Sequence, residues 1–442
     1  MGFFLTLVYI ALALLSPADL FPSLAGFRIE LVVALLALPF SAQSLLTDRV
    51  LRSPQAYLLA GLFPAVFLSQ AIGNSWIGGG VFAMLRFLPV AVAFYLILLN
   101  CDTLGRLKSL ACCLALIGAG LVLTGGIAYI TQDLSNPLLL VLKARDESGA
   151  PFLRMRGLGF LNDPNDLAQF LALIIPFAWL LWERGRKIRN AFLVVGPTMF
   201  FIAGIYMTQS RGGMLALLVI LLLGMKDRFG IVASALFASF ACVFFLLMNF
   251  TGGREVSMAA GSDRMALWGS GLELFKSSPL FGIGWGSFAD QNGGRAAHNS
   301  FVLCLAELGI GGYMLWIGLL VSTFHGLNSC IAMLRPRDVA SPESSADSDA
   351  SKLEVCRWAR MLRISLAGYL AASCFLSRAY IFTLYVILAM ALAVCWLEPE
   401  GEKLVAKLPP LRLVGRTAMF GFGAITIFYA FLRARSLLPG PQ

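Results

Sequence analysis

Histidine is almost missing from this 442-residue chain, which has only His298 and His325. Charged residues are also scarce, at 13%. The nine cysteines include no Cys-x-x-Cys pair. No Lys or Arg precedes Arg28. Each shortage excludes something. With so little charge, 59% hydrophobic residues and a mean hydropathy of +0.81, most of the chain has lipid rather than water as its solvent. Cys112, Cys113, Cys242, Cys304, Cys374 and Cys395 lie in apolar runs, and Cys101, Cys330 and Cys356 lie near basic loops. That distribution supports neither a disulfide framework nor a thiolate metal site. Without a positive stretch at the start, residues 1–15 read as a retained helix rather than a cleavable signal.

What is present is a series of apolar runs. A helix needs about 17–25 such residues to cross the hydrocarbon core. Runs fall near 3–15, 29–46, 55–73, 80–100, 109–130, 166–182, 191–208, 212–225, 230–250, 298–325, 361–377 and 379–397. The expectation is an all-α polytopic membrane protein of about twelve spans, with a thirteenth at 413–432 either spanning or lying at the interface. The chain divides into 1–250 with an outer loop at 131–165, the polar loop 251–297, the segment 298–397 and a C-terminal segment 398–442. Residues 335–352, RPRDVASPESSADSDASK, are too polar to bury a core and read as a disordered linker. Its Asp347-Ser348-Asp349 resembles a metal-holding triplet, but nothing adjacent would fix ligand geometry.

Loop charge orients the spans. One set of loops holds fifteen basic residues, including Arg49, Arg52, Arg335 and Arg337, against three in the short loops of the other set. Basic residues stay cytoplasmic, so the amino terminus is expected inside and both long loops outside. The net charge of +10 is therefore mostly topological. Scattered in short loops, it does not form a nucleic-acid face.

The specific residues gather on the outer side. The 47-residue loop 251–297, carrying Arg254, Arg264, Lys276 and Arg295, re-enters an apolar helix at His298-Asn299. Histidine is the side chain whose ordinary pKa lies near neutral pH, so His298 is a candidate proton acceptor beside cations. Arg211, in SRGG (210–213), falls between two apolar runs with almost no loop to solvate it. Arginine at such depth usually faces a cavity or a partner, although snorkelling to the interface also fits. Gly212 and Gly213 would let backbone or ligand approach. Arg86 lies shallowly in its helix, where snorkelling is easy. Arg154 and Arg156 precede Asp163-Pro164-Asn165-Asp166 at a helix start, an inherent anion site. The two aspartates read as an N-cap and a first-turn acid, with metal binding as the competing idea. In the second loop Met265, Leu267, Trp268, Leu272 and Phe275 share one side of an expected interfacial helix that Arg264 begins. FGIGWGSF (281–288) reads as a flexible turn, and Glu307 as a buried hydrogen-bonding group.

Together these pieces resemble the O-antigen ligase family. The run HN-x9-G-x-x-G (298–312) matches the family's histidine motif, and SRGG and DRMALW (263–268) match its two arginine positions. GLGFLNDPNDLAQ (157–169) looks like the wider ligase and polymerase superfamily. The resemblance implies a glycosyltransferase-C-like helical bundle with a long periplasmic loop before the tenth helix, needing neither metal nor ATP nor any other cofactor. It implies an undecaprenyl-diphosphate-linked polysaccharide as donor and lipid A–core as acceptor, in the bacterial inner membrane. His298 would be the base, and Arg211 and Arg264 the diphosphate clamp. Arg86, Arg154, Arg156, Asn299, Arg295 and Arg378 would be donor or acceptor contacts. Arg378 departs from the pattern, since some relatives carry an acid at that turn. A polymerase, a protein-glycosylating relative, or an organic-anion or lipid transporter remain as alternatives.

Overall fold

The computed structural model of the protein describes residues 1–45, 50, 53–142, 152–247, 258–334, 346–398 and 410–436. Arg49, Arg52, Arg254, Arg335 and Arg337, with residues 251–257 and 335–345, lie outside the described residues.

The chain is a helical bundle. In order it forms α1 (Gly2–Leu15), α2 (Ile29–Leu45), α3 (Pro54–Gly73), α4 (Ile77–Asn100) and α5 (Leu104–Thr131). After a hairpin come α6 (Pro164–Trp179), α7 (Lys187–Thr208), α8 (Arg211–Leu247) and α9 (Met258–Ser277). The chain continues with α10 (Ser300–Met333), α11 (Ala346–Ser373), α12 (Phe382–Trp396) and α13 (Pro410–Ser436). Among the described residues, seven helices are long and apolar enough to cross a membrane, and three shorter apolar helices accompany them. The protein is a multi-pass membrane protein.

The core forms around α12. All fifteen of its residues are buried, as suits a helix apolar on every side. It packs against α4, α10 and α11, with Tyr385 edge-on to Phe87 and Phe382 stacked on Phe160. α13 covers 413–432, is among the helices long and apolar enough to span, and packs along α10. Tyr313 donates to the Gly421 carbonyl, Phe428 lies against Phe301, and Arg416 meets His325, so the helix runs antiparallel along α10.

Three expectations need revising. The loop 131–165 contains a two-stranded antiparallel hairpin, β1 (Leu139–Leu142) and β2 (Phe152–Met155), which a wholly helical reading omits. Residues 346–352 of the supposed linker are already the first turns of α11. The expected helix from 298 is also not straight, because Gly309 interrupts it at φ 61° and ψ −168°. The 15 residues between Phe301 and Trp316 would span ~22 Å in a straight helix, yet their rings meet edge-on at 5.3 Å. The arm Ser300–Leu308 is therefore folded towards the remainder of α10.

Candidate active site

Three helix N-termini converge at one end of the bundle. Asp163 caps α6 by accepting from the Asn165 amide at 2.7 Å, with Pro164 at the first helical position and Asp166 in the first turn. Ser210 opens α8, its hydroxyl accepting from the Gly213 amide at 3.1 Å and donating to Asn165 Oδ1 at 2.8 Å. Asn299 caps α10 through the Phe301 and Val302 amides. Unpaired first-turn N–H groups give each helix start a partial positive charge, so three together favour an anion. The glycine pair sets the spacing. A Cβ on Gly213 would lie 2.4 Å from Ala168 Cβ of α6, and one on Gly212 would lie 2.5 Å from Leu376 Cδ1. These glycines therefore serve helix packing, and Arg211 is carried to the junction as a result.

The turn between α11 and α12 ties the cluster together. Ser377 Oγ accepts from the His298 amide at 2.8 Å. Ser300 Oγ accepts from the Arg378 amide at 2.8 Å and donates to the Leu376 carbonyl at 2.7 Å. The Arg378 side chain pairs with Asp163 at 3.0 Å and with Asp166, which is 6% exposed. Burial works to raise the Asp163 pKa, but Arg378, the Asn165 amide and Arg154 together outweigh it and hold that carboxyl below its usual range. The two aspartates thus face a guanidinium.

His298 sits half-buried at φ 52°, in the left-handed region. The preceding carbonyl, of Ala297, accepts from Trp268 Nε1 at 3.0 Å, so α9 and the turn of Ser377 hold the histidine from two sides. Burial lowers its pKa, and the charges of Arg264 and Arg378 lower it further against the opposing pull of Asp163. Its imidazole is therefore neutral at physiological pH. Arg264 is itself half-buried, and both burial and the neighbouring charge of Arg211 disfavour its ionised form. An anion bound near both would favour the charged form of each.

A further layer supports the arm that carries His298. The break at Gly309 releases carbonyls of α10, and the loop at 279–288 satisfies them. The amides of Ile283 and Gly284 donate to the Ala306 and Glu307 carbonyls, and the Ile310 amide donates to the Pro279 carbonyl. On the loop's other side Gln70 Nε2 donates to the Trp285 carbonyl at 2.6 Å, and Ser69 Oγ accepts from the Trp285 amide at 3.0 Å. FGIGWGSF is consequently a wedge fixed between α3 and α10, not a loose turn. Its positive φ values at Gly282, Gly284 and Gly286 form the tight bends that allow the approach. Glu307 accepts from the Phe288 amide at 3.3 Å, the buried hydrogen-bonding role expected of it.

Of the remaining sequence candidates, Arg154 joins the cluster through Asn165. Arg154 is buried, with Nε donating to the Thr208 carbonyl and Nη2 to Asn165 Oδ1, so it fastens β2 to the α7–α8 turn. Arg156 donates to the Pro137 carbonyl within the hairpin region. Arg295 is exposed on the loop before His298. Arg86 is exposed and lies over the Phe82 ring at 4.4 Å. Arg264 lies inside α9, which starts at Met258, not at its beginning. The side of α9 expected to face lipid is occupied by protein, since Trp268 packs near Phe375, Phe428 and Phe431. Sequence reasoning missed Asn165, Ser210, Ser300 and Ser377. Only their positions beside helix starts and at a two-helix turn signalled them.

Residues 196–317 match the family model described as O-antigen ligase. No curated protein and no solved structure matches the chain. The matched segment takes in Arg211, Arg264, His298, Gly309 and Gly312. This segment, somewhat over a quarter of the chain, is therefore similar to the O-antigen ligase family, and it holds the histidine and two of the arginines described above.

Proposed function

We propose that this protein is a ligase that moves O-antigen polysaccharide from undecaprenyl diphosphate to a hydroxyl of lipid A–core, at the periplasmic face of the bacterial inner membrane. The observation that carries the reading is the convergence of three helix N-termini beside His298, whose amide is fixed by Ser377, with Arg211 opening one of those helices.

The bond to be broken joins the sugar's C1 to an oxygen of the diphosphate. The diphosphate departs with the bonding electron pair, and the charge growing on it is met by Arg211 and Arg264 and by the positive helix ends. Arginine's planar fork suits two phosphate oxygens at once. The acceptor hydroxyl is a poor nucleophile. As its oxygen attacks C1 its proton passes to His298, a step that typically contributes about 10²–10⁴-fold. Arg378 is a positioning residue here, with its charge spent on Asp163 and Asp166 and its backbone fixing Ser300.

The test is reconstitution with undecaprenyl-diphosphate glycan, with lipid A–core or without an added acceptor. Glycosylated lipid A–core is expected. Longer lipid-linked glycan in both arms, with no modified lipid A–core, would reassign the protein to polymerisation.

A further inference from the structure

A cavity of about 550 Å³ opens between α10, α11 and α13, with Phe301 of the folded arm on its lining. Its wall is apolar, formed by Ile317, Leu320, Val321 and Phe324 with Leu370 and Met419. Its other end is polar, with His325, Asn328 and Arg416. Arg416 Nη1 donates to His325 Nδ1 at 2.7 Å, and among the described residues no carboxylate pairs with Arg416. Arg363 reaches the same rim by donating to Asn328 Oδ1 at 2.9 Å.

We infer that this groove binds one anionic phospholipid of the surrounding bilayer, with the phosphate on Arg416 and His325 and an acyl chain along the Ile317–Phe324 face. Dimensions and charge both support that occupant. From Ile317 to Asn328 is eleven residues, or ~16 Å of helix, close to half of a hydrocarbon core of ~30 Å. The apolar length therefore suits one leaflet's chain. The cations stand where that chain's headgroup would lie, and guanidinium binds phosphate through paired hydrogen bonds. α13 would then be held to the bundle partly through lipid, which fits how much of its surface is exposed, at Leu411, Val414, Phe422 and Ile427 among others.

The experiment uses the full-length protein in detergent, with native mass spectrometry after adding phosphatidylglycerol or phosphatidylcholine of identical chains. The wild type is expected to retain one phosphatidylglycerol about tenfold more strongly than phosphatidylcholine, the scale of one charge-assisted contact. The double variant Arg416→Gln, His325→Gln should lose that preference while still holding either lipid weakly. Ala424→Trp, which fills the groove from a half-buried position on α13, should reduce retention of both. Equal retention of the two lipids by the wild type would overturn the inference, as would an unchanged preference in the double variant. Displacement of phosphatidylglycerol by undecaprenyl diphosphate would also overturn it, because the groove would then serve the donor's tail. The variants leave His298, Arg211 and Arg264 unchanged, so loss of the phosphatidylglycerol preference does not decide the transferase reading, which the reconstitution assay tests on its own.

Discussion

Replacing Gly309 with alanine should damage both stability and turnover, and the structure sets the size of the effect. The residue sits at φ 61° and ψ −168°, a backbone region nearly restricted to glycine, where another residue costs about 1–3 kcal/mol. Its Cβ would fall 2.5 Å from the Leu280 carbonyl oxygen and 2.6 Å from the Gly282 nitrogen. Both are backbone atoms, so the wedge 279–288 must move. Moving it strains the three backbone bonds that join it to α10, each contributing about 0.5–1.5 kcal/mol. The combined loss is roughly 3–7 kcal/mol. Gly311→Ala is the control, because its Cβ would meet nothing closer than the Leu280 oxygen at 3.5 Å. Thermal unfolding in detergent should show a fall of at least several degrees for Gly309→Ala and little change for Gly311→Ala. Turnover in proteoliposomes should fall with the first, since the arm carrying His298 loses its support. Wild-type stability and rate in Gly309→Ala would refute the claim that this break and its wedge hold the site.

Five further outcomes are expected. Transfer rate should fall as pH drops through the His298 pKa, which lies below the ordinary value near 6.5. In Arg264→Gln the residual activity should lose its acid limb at a higher pH, because one charge that disfavours the imidazolium is gone; a pH–rate profile checks both. Arg211→Lys and Arg264→Lys should insert normally yet lose most activity in the reconstituted assay, since lysine keeps charge but not the bidentate fork. Arg378→Met should destabilise the protein by about 3–5 kcal/mol in thermal unfolding, because Asp166 is left buried without its partner. Transfer should persist in excess chelator, and activity lost to chelator and restored by one divalent ion would contradict the arginine clamp.

The sequence was most legible where local physics decides. Asp163-Pro164 signals a helix start by itself, and α6 is capped there. Apolar runs foretold nearly every helix, because lipid demands satisfied backbone and long apolar stretches. His298, Arg211 and Arg264 could be picked out because titratable or cationic groups are costly beside lipid. What stayed hidden depends on contacts remote in sequence. Nothing local to Arg378 reveals that its partners are more than two hundred residues earlier. Gly309 stood in a motif, yet only the docked wedge explains why the helix must break there. The apolar side of α9 predicted burial correctly, but periodicity cannot distinguish lipid from Phe428 and Phe431 as the covering surface.

The enclosure of α12 also orders the protein's assembly in time. Its partner α4 leaves the ribosome long before it does: 296 residues separate Asn100 from Trp396, roughly 15–60 s of synthesis at about 5–20 residues per second. Throughout that interval α4 lacks the helix that later covers it. In water such an uncovered helix would expose a large apolar face and invite aggregation. In a bilayer the lipid tails are as apolar as the missing helix and can stand in for it at little cost. Arrival of α12 then expels lipid from the centre, and the turn that carries Ser377 and Arg378 arrives just ahead of it. The end of the molecule that holds the candidate site can therefore close only as one of the final events of its birth.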